Sequence, residues 1–283
     1  MMPNTLRVLA IGAHPDDCDY RFGGCATKYV RLGHQVKFVS LTNGDGGHYR
    51  EGGGPLARRR YQEAQRVAQI AGIEYQLLDL HDAELIPSLE NRWVVVNVIR
   101  EFRPDLVVTN RPNDYHPDHR YTSQLVQDAA YTVTIPNVQA LTPHLRYNPV
   151  IAYWSDSFTR PYPHTPDVAV SIDDVVENKI DMLDSHVSQF YEWLPYNHGA
   201  LEQMPEGREA RRQWMAAQRL GMMAREADRC RDLLKRLYGD EAGARVRYAE
   251  SFEFGEYGGQ VTEETLGELF PFFGEQYPMG RGG

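Results

Sequence analysis

The feature that most narrows the fold is an alternation of short apolar runs with helix-length stretches through the first half of the chain. Leu6 to Gly12 reads as a strand covered on both faces, and it stops at the polar run Ala13-His14-Pro15-Asp16-Asp17. A helix follows from about Arg21 to Leu32 and ends at Gly33, a residue suited to a helix C-terminus. Val36 to Leu41 is a second strand, closed by the turn Asn43-Gly44-Asp45-Gly46-Gly47. Pro55 opens a helix that runs to Ala71, before Gly72, and Tyr75 to Leu80 is a third strand. Asn91 to Phe102 is a helix closed by Pro104, and Asp105 to Thr109 is a fourth strand. A second polar cluster, Asn113-Asp114-Tyr115-His116-Pro117-Asp118-His119, then leads into a helix from Arg120 to Tyr131.

Repeated β-α-β units with right-handed crossovers give the expected fold class, α/β: a doubly wound, Rossmann-like, mostly parallel sheet flanked by helices. In the common order 3-2-1-4, strands 1 and 4 are neighbours, and ligands bind at the carboxyl ends of the strands where the order reverses. Both polar clusters lie at those two ends, so topology brings them together.

The second half is less regular. Pro136 to Pro166 reads as sheet edge plus loops at the cleft rim, interrupted by a strand at Val150 to Trp154. Val168 to Ile172 is another strand, and Asp173 or Asp174 caps a helix running to about Gln189. Arg208 to Tyr238 reads as one long charged helix, and Arg247 to Gly258 as a strand or extended arm. With no repeat or linker in view, the expectation is one domain over residues 1–283. Its core covers about 5–190, with a C-terminal helical and extended elaboration over 191–283.

A net charge of -9 argues against nucleic acid or an anionic membrane as a partner. The three cysteines, Cys18, Cys25 and Cys230, show no Cys-x-x-Cys spacing, which favours a reducing compartment over disulfides or a cysteine zinc site. Cys18 reads as a buried small hydrophobe. No signal-peptide pattern precedes Arg7, and the apolar stretch Trp93 to Ile99 is too short to span a bilayer, so the expected location is cytoplasmic. Oligomeric state is unreadable, although the C-terminal elements offer a surface for a homo-oligomer.

The clusters carry the chemistry. His14 and Asp17 are three apart, as are His116 and His119, and two histidines with a carboxylate suit a zinc site that keeps one position for water. Spacing does not choose between His116 and His119. If Asp17 coordinates, Asp16 points elsewhere and can take a proton from the water. Either cluster alone would read equally well as helix capping, with Asp118 as an N-cap; the two at adjacent strand ends favour the metal. The Gly-x-Gly-x-x-Gly turn of a dinucleotide site is absent after strand 1, where the carboxylates would repel phosphate. No Gly-x-Ser-x-Gly elbow is present either.

The phrases Ala13-His14-Pro15-Asp16-Asp17, Pro104-Asp105-Leu106-Val107 and Asp114-Tyr115-His116-Pro117-Asp118-His119 resemble the LmbE-like, PIG-L superfamily of zinc-dependent de-N-acetylases over roughly residues 5–190. Members of that superfamily deacetylate N-acetylglucosaminyl lipids and the sugar-linked precursors of mycothiol and bacillithiol. The resemblance implies His14, Asp17 and His119 as metal ligands and Asp16 as general base. It implies that His116, when protonated, stabilises the oxyanion or protonates the leaving amine, and that Asp118 orients a histidine. Arg60-Tyr61-Gln62-Glu63-Ala64 resembles a family helix whose arginine approaches substrate, against the alternative of a surface arginine. His186, in His186-x-x-Gln189, resembles a residue on the far side of the site. His48 departs from the usual loop and either lines the cleft or stays solvated. Trp154, Arg160, Tyr162 and His164 read as aromatic loop packing rather than a sugar-stacking rim.

The implied activity is metal-dependent removal of an N-acetyl group from an N-acetylglucosaminyl-type amino sugar or glycoside, releasing acetate and a free amine. The implied cofactor is Zn2+, with Fe2+ suited to the same nitrogen and oxygen donors. The alternatives are a zinc amidase acting on a sugar-linked conjugate and a non-catalytic metal- or sugar-binding protein.

Overall fold

A computed structural model describes residues 5–273. The elements are β1 (Arg7–Gly12), α1 (Asp17–Arg31), β2 (Gln35–Thr42), α2 (Gly53–Ala71), β3 (Glu74–Leu80), α3 (Leu89–Phe102), β4 (Leu106–Thr109) and α4 (Pro117–Thr132). There follow β5 (Val150–Trp154), β6 (Val168–Ser171), α5 (Val176–Ser185), a π-helical turn (Ser188–Trp193) and the short α6 (Leu194–Asn197). Then come α7 (Arg208–Arg229), α8 (Arg231–Tyr238), α9 (Asp240–Arg245), β7 (Ala249–Phe254) and α10 (Glu263–Leu269).

The sheet order is β3-β2-β1-β4-β5-β7-β6. Strands β1 to β5 run parallel, and β7 is antiparallel to both β5 and β6. The expected 3-2-1-4 order holds, and β1 pairs with β4 in the register Ile11↔Thr109. Their carboxyl ends are therefore level, and the residues that follow emerge side by side.

The layers follow from strand periodicity. Val8 and Ala10 face one apolar cluster, under α1, α5 and α7, while Leu9 and Ile11 face the other, under α3 and α4. All four side chains are fully buried, and fully burying an aliphatic chain of this size is worth about 1.5–3 kcal/mol. A strand with no solvent face cannot slip by one residue without exchanging the two layers, so the position of His14 is tightly set.

Three expectations about the second half need correction. Val150–Trp154 is not at the sheet edge: β7 returns from the far end of the chain and inserts between β5 and β6, leaving β6 as the edge. The helix expected over 208–238 breaks at Cys230, and the break turns Leu233, Leu234 and Leu237 of α8 into the core. Neither Asp173 nor Asp174 caps α5, whose N-cap position is Val175. Asp173 instead accepts hydrogen bonds from the Arg247 and Tyr248 backbone N–H groups, tethering the approach to β7. Asp174 pairs with Lys28 and Arg31.

Helices α1 and α4 begin earlier than the pattern suggests. Asp17 opens α1, and Pro117 opens α4 at its first position, where a missing N–H costs nothing. The N-cap of α4 is His116, whose Nδ1 accepts from the Asp118 N–H at 3.2 Å; Asp118 is not the cap. Asp17, Asp118 and His119 thus all sit in the first turns of two helices that start at the carboxyl ends of the neighbouring strands β1 and β4.

Candidate metal centre

A tight turn builds the first half of the site. After Gly12 the N–H groups of Asp16 and Asp17 both donate to the His14 carbonyl, and Asp17 Oδ2 accepts from the Ala13 and His14 N–H groups at 2.9 Å each. A Cβ at Gly12 would lie 2.7 Å from the Asp17 Cβ, so only glycine lets the helix start this close to the strand.

The second half arrives from α4. His14 Nδ1 lies 3.1 Å from His119 Nε2 and 3.6 Å from Asp17 Oδ2, while His119 Nε2 lies 3.4 Å from Asp17 Oδ1. Donors about 2.0–2.1 Å from one tetrahedral ion are roughly 3.3 Å apart, and these separations are of that size, with the two Asp17 contacts made by different carboxylate oxygens. The outer ring nitrogens agree with this. His119 Nδ1 faces Asp114 Oδ1 at 3.0 Å, and His14 Nε2 faces Asp82 Oδ1 at 3.1 Å and Asp118 Oδ2 at 3.3 Å. A carboxylate behind each imidazole keeps a proton on the outer nitrogen and leaves the inner lone pair for a metal.

Two further donor sets meet at His14: with His116 and His119, and with Asp82 and Asp118, each with its ligand atoms within 4.8 Å of one another. The second is a poorer cation site. The Arg60 guanidinium, 3.5 Å from Asp82 Oδ2, already supplies positive charge there, and Asp118 Oδ2 is taken by the Ala83 N–H at 2.7 Å.

The electrostatics separate the two adjacent aspartates. Burial works to raise the Asp17 carboxyl, yet the charge of His119 and the hydrogen bonds of His14 hold it well below the usual range. Asp16 is shifted the other way: burial raises it, and the charge of Arg60 only partly offsets this. Burial, followed by the charges of His14 and His119, holds His116 below the ordinary histidine value. Asp82 and Asp114 are both held low against the pull of burial, chiefly by His14 and His119 respectively. Burial pushes the Cys18 thiol well up, consistent with a small buried hydrophobe.

The remaining expected site residues behave differently. Arg60 is not a surface arginine. It is 2% exposed, and its guanidinium donates to Asp16 Oδ1 at 3.1 Å, Gly44 O at 3.2 Å and Pro15 O at 3.3 Å. Glu63 of the same helix accepts from Ser188 N and Oγ, so this segment clamps the site loop to the π-helical turn. His48 is not a solvated imidazole: its Nδ1 accepts from the Arg50 and Glu51 N–H groups, and its Nε2 bonds Glu192 at 2.9 Å. His186 is fully buried against Asp19 Oδ2 at 2.5 Å. Trp154 and His164 are buried, as loop packing requires, and Tyr162 lies against the Arg111 guanidinium.

Two residues were missed. Asp114 stood inside the quoted motif without a role. Asp82 follows β3, two strands from β1, and only the glycine-rich turn brings it in: Asp45 Oδ1 accepts from the Asp82 N–H at 3.0 Å. Tyr115, 67% exposed, lies edge-on to His116 and His119 at the mouth.

The geometry agrees with what the chain is similar to. Residues 9–130 match the family described as PIG-L: GlcNAc-PI de-N-acetylase, a span that holds both polar clusters. A diacetylchitobiose deacetylase of Thermococcus kodakarensis is 34% identical over 207 residues, covering 67% of this chain and 74% of that protein. A probable N-acetyl-α-D-glucosaminyl L-malate deacetylase 2 of Bacillus anthracis is 30% identical over 200 residues, covering 67% and 84%. Among solved structures, the N,N'-diacetylchitobiose deacetylase of Pyrococcus horikoshii, complexed with an inhibitor, aligns with a TM-score of 0.68 at 26% identity, covering 90% of this chain and 85% of that one. With motifs, sheet order and relatives in agreement, the chain belongs to the PIG-L, or LmbE-like, family of de-N-acetylases.

Proposed function

We propose that this protein is a metal-dependent hydrolase that removes the N-acetyl group from a small N-acetylglucosaminyl-type amino sugar, yielding acetate and a free amine. The observation that carries the reading is the triangle of His14 Nδ1, His119 Nε2 and Asp17, with carboxylates behind both imidazoles. A divalent ion held there, zinc or Fe2+, would acidify a bound water and polarise the acetamide oxygen.

The chain's own groups supply the proton chemistry. Asp16 is adjacent to the ligand Asp17 but bonded to Arg60, and its raised pKa makes it a better proton acceptor than an ordinary carboxylate. It takes the proton of the attacking water and returns it to the leaving nitrogen as the C–N bond breaks. His116 plays a part other than the protonated acid the family resemblance implies. Its Nδ1 is occupied by the Asp118 N–H, so a neutral ring carries its hydrogen on Nε2. Its lowered pKa keeps it neutral near pH 7, and it stabilises the developing oxyanion as a hydrogen-bond donor. Asp118, Asp82 and Asp114 orient the two histidines; Arg60 positions Asp16.

The reading extends to the setting. Cys18, Cys25 and Cys230 are all free and buried, which suits a reducing cytoplasm. No helix among the described residues is long and apolar enough to cross a membrane. We read residues 1–283 as one catalytic domain. The test is amine release from N,N'-diacetylchitobiose by metal-loaded protein, before and after chelation. Turnover that survives complete metal removal, or metal-loaded protein that binds the sugar without cleaving it, overturns the proposal.

A further inference from the structure

A cavity of about 270 Å³ lies on the α1 side of the sheet, beyond the carboxyl end of β5, between α1 and α7. Arg21 of α1 and Arg219 and Arg225 of α7 line it. Among the described residues none of these three guanidiniums pairs with a carboxylate, although the chain as a whole carries a charge of -9. The acids in the same wall are already committed. Glu226 pairs with Arg229 at 2.7 Å, Glu250 with Lys179 at 2.5 Å, and Asp156 with Arg111 at 2.7 Å.

Two of these cations, Arg21 and Arg219, lie against aromatic rings rather than counter-charges, and Arg219 Nη1 also donates to the Tyr20 hydroxyl at 3.1 Å. Arg219 stacks 5.4 Å over Tyr20 and 5.0 Å over Phe190, and Arg21 lies 4.7 Å over the Tyr20 ring. The Arg219 Nε is buried with no hydrogen-bond partner. A buried donor left unsatisfied costs free energy that an acceptor would recover. Met222, Met223 and Leu183 add apolar surface to the lining.

We propose that this cavity binds a small organic anion, a carboxylate or phosphate ester carried on an apolar or sugar body. The binding of an anion there does not depend on the deacetylase reading.

Calorimetric titration of the full-length, metal-loaded protein with phenyl phosphate tests it. We expect saturable binding of one equivalent that persists after chelation and weakens about tenfold or more in Arg225→Gln, since hydrogen bonds to charged groups are of that size. Arg225 is exposed and makes no contact that folding needs, and Arg21→Gln combined with it should weaken binding further. No saturable binding, or binding lost on chelation but unaltered in the double variant, overturns the proposal. Because the readout is heat of binding, this outcome is independent of whether the protein deacetylates anything.

Discussion

His14 Nδ1 and His119 Nε2 stand 3.1 Å apart although 105 positions separate them in the chain. That approach is set behind the rings as much as in front, because Asp114 holds the outer nitrogen of His119 at 3.0 Å. Carboxylates in this position typically contribute 10–100-fold to metal affinity by fixing tautomer and ring orientation. Asp114→Ala should therefore weaken the metal by about that factor, read by competition with a chelator of known affinity. An unchanged affinity would show that His119 needs no carboxylate behind it.

Asp16 and Asp17 are adjacent yet should fail differently. Asp17→Ala removes a proposed ligand and should lower metal content. Asp16→Ala should keep the metal and lose about 10²–10⁴-fold in rate, the usual worth of a positioned base. Elemental analysis and turnover on the same preparations decide. Full activity in Asp16→Ala would end its assignment as base.

Gly44 ties backbone conformation to the base. Its φ is +72°, and a Cβ there would lie 2.5 Å from Arg60 Nη1, the guanidinium that contacts Asp16. Gly44→Ala should cost about 1–2 kcal/mol for the left-handed backbone and should also slow turnover by displacing Arg60. Gly33, at φ +84° with open space around it, is the control. Gly33→Ala should lower the melting temperature and leave the rate alone. Equal rates in the two variants would disconnect Arg60 from Asp16.

Much of this was legible because the decisive signals are local. A strand buried on both faces reads as an unbroken apolar run, and a polar cluster at its end is conspicuous, so β1, β4 and the His14–His119 meeting could be anticipated. The return of β7 into the sheet could not. Its partners, Trp154 and Val168, lie far back in the chain, and the same apolar residues would suit an edge. Residue type alone also did not reveal the partners of His48 and His186. An imidazole that bridges Glu192 to a loop, or stands on Asp19, has the same letter as one that contacts a substrate. Asp82 carried no signal of its own, since its place in the site depends on Asp45 holding the loop after β3.

The staple around His48 gives a pH dependence. Burial works to raise the Glu192 carboxyl, but the two hydrogen bonds from Arg59 and the one from His48 hold it below its ordinary value. A carboxyl depressed in the folded state contributes stability above its unfolded pKa of about 4.3, and loses it as the pH falls through the lower folded value. Glu192→Gln should therefore melt below the parent protein near pH 7, and the gap should close on acidification below about pH 4. A gap that stays constant across this range would mean that the carboxylate charge is not what holds the loop.

Lys179 and Glu250 form an ion pair at 2.5 Å with both side chains buried, and Glu250 also accepts the N–H groups of Gly24 and Cys25 at 2.8 Å each. This pair pins α5 and α1 to β7, the strand that completes the sheet. Removing one member leaves the other charged and dry, at a cost of about 3–5 kcal/mol, whereas replacing both with apolar groups of similar volume is often neutral. Glu250, however, serves two backbone donors that an apolar residue would orphan. Lys179→Met should lower the melting temperature by several degrees. Adding Glu250→Gln, which keeps acceptor capacity for one N–H while removing the charge, should recover part of the loss. If the double variant melts below Lys179→Met, the buried carboxylate is stabilised mainly by the α1 backbone, and the lysine is the lesser partner.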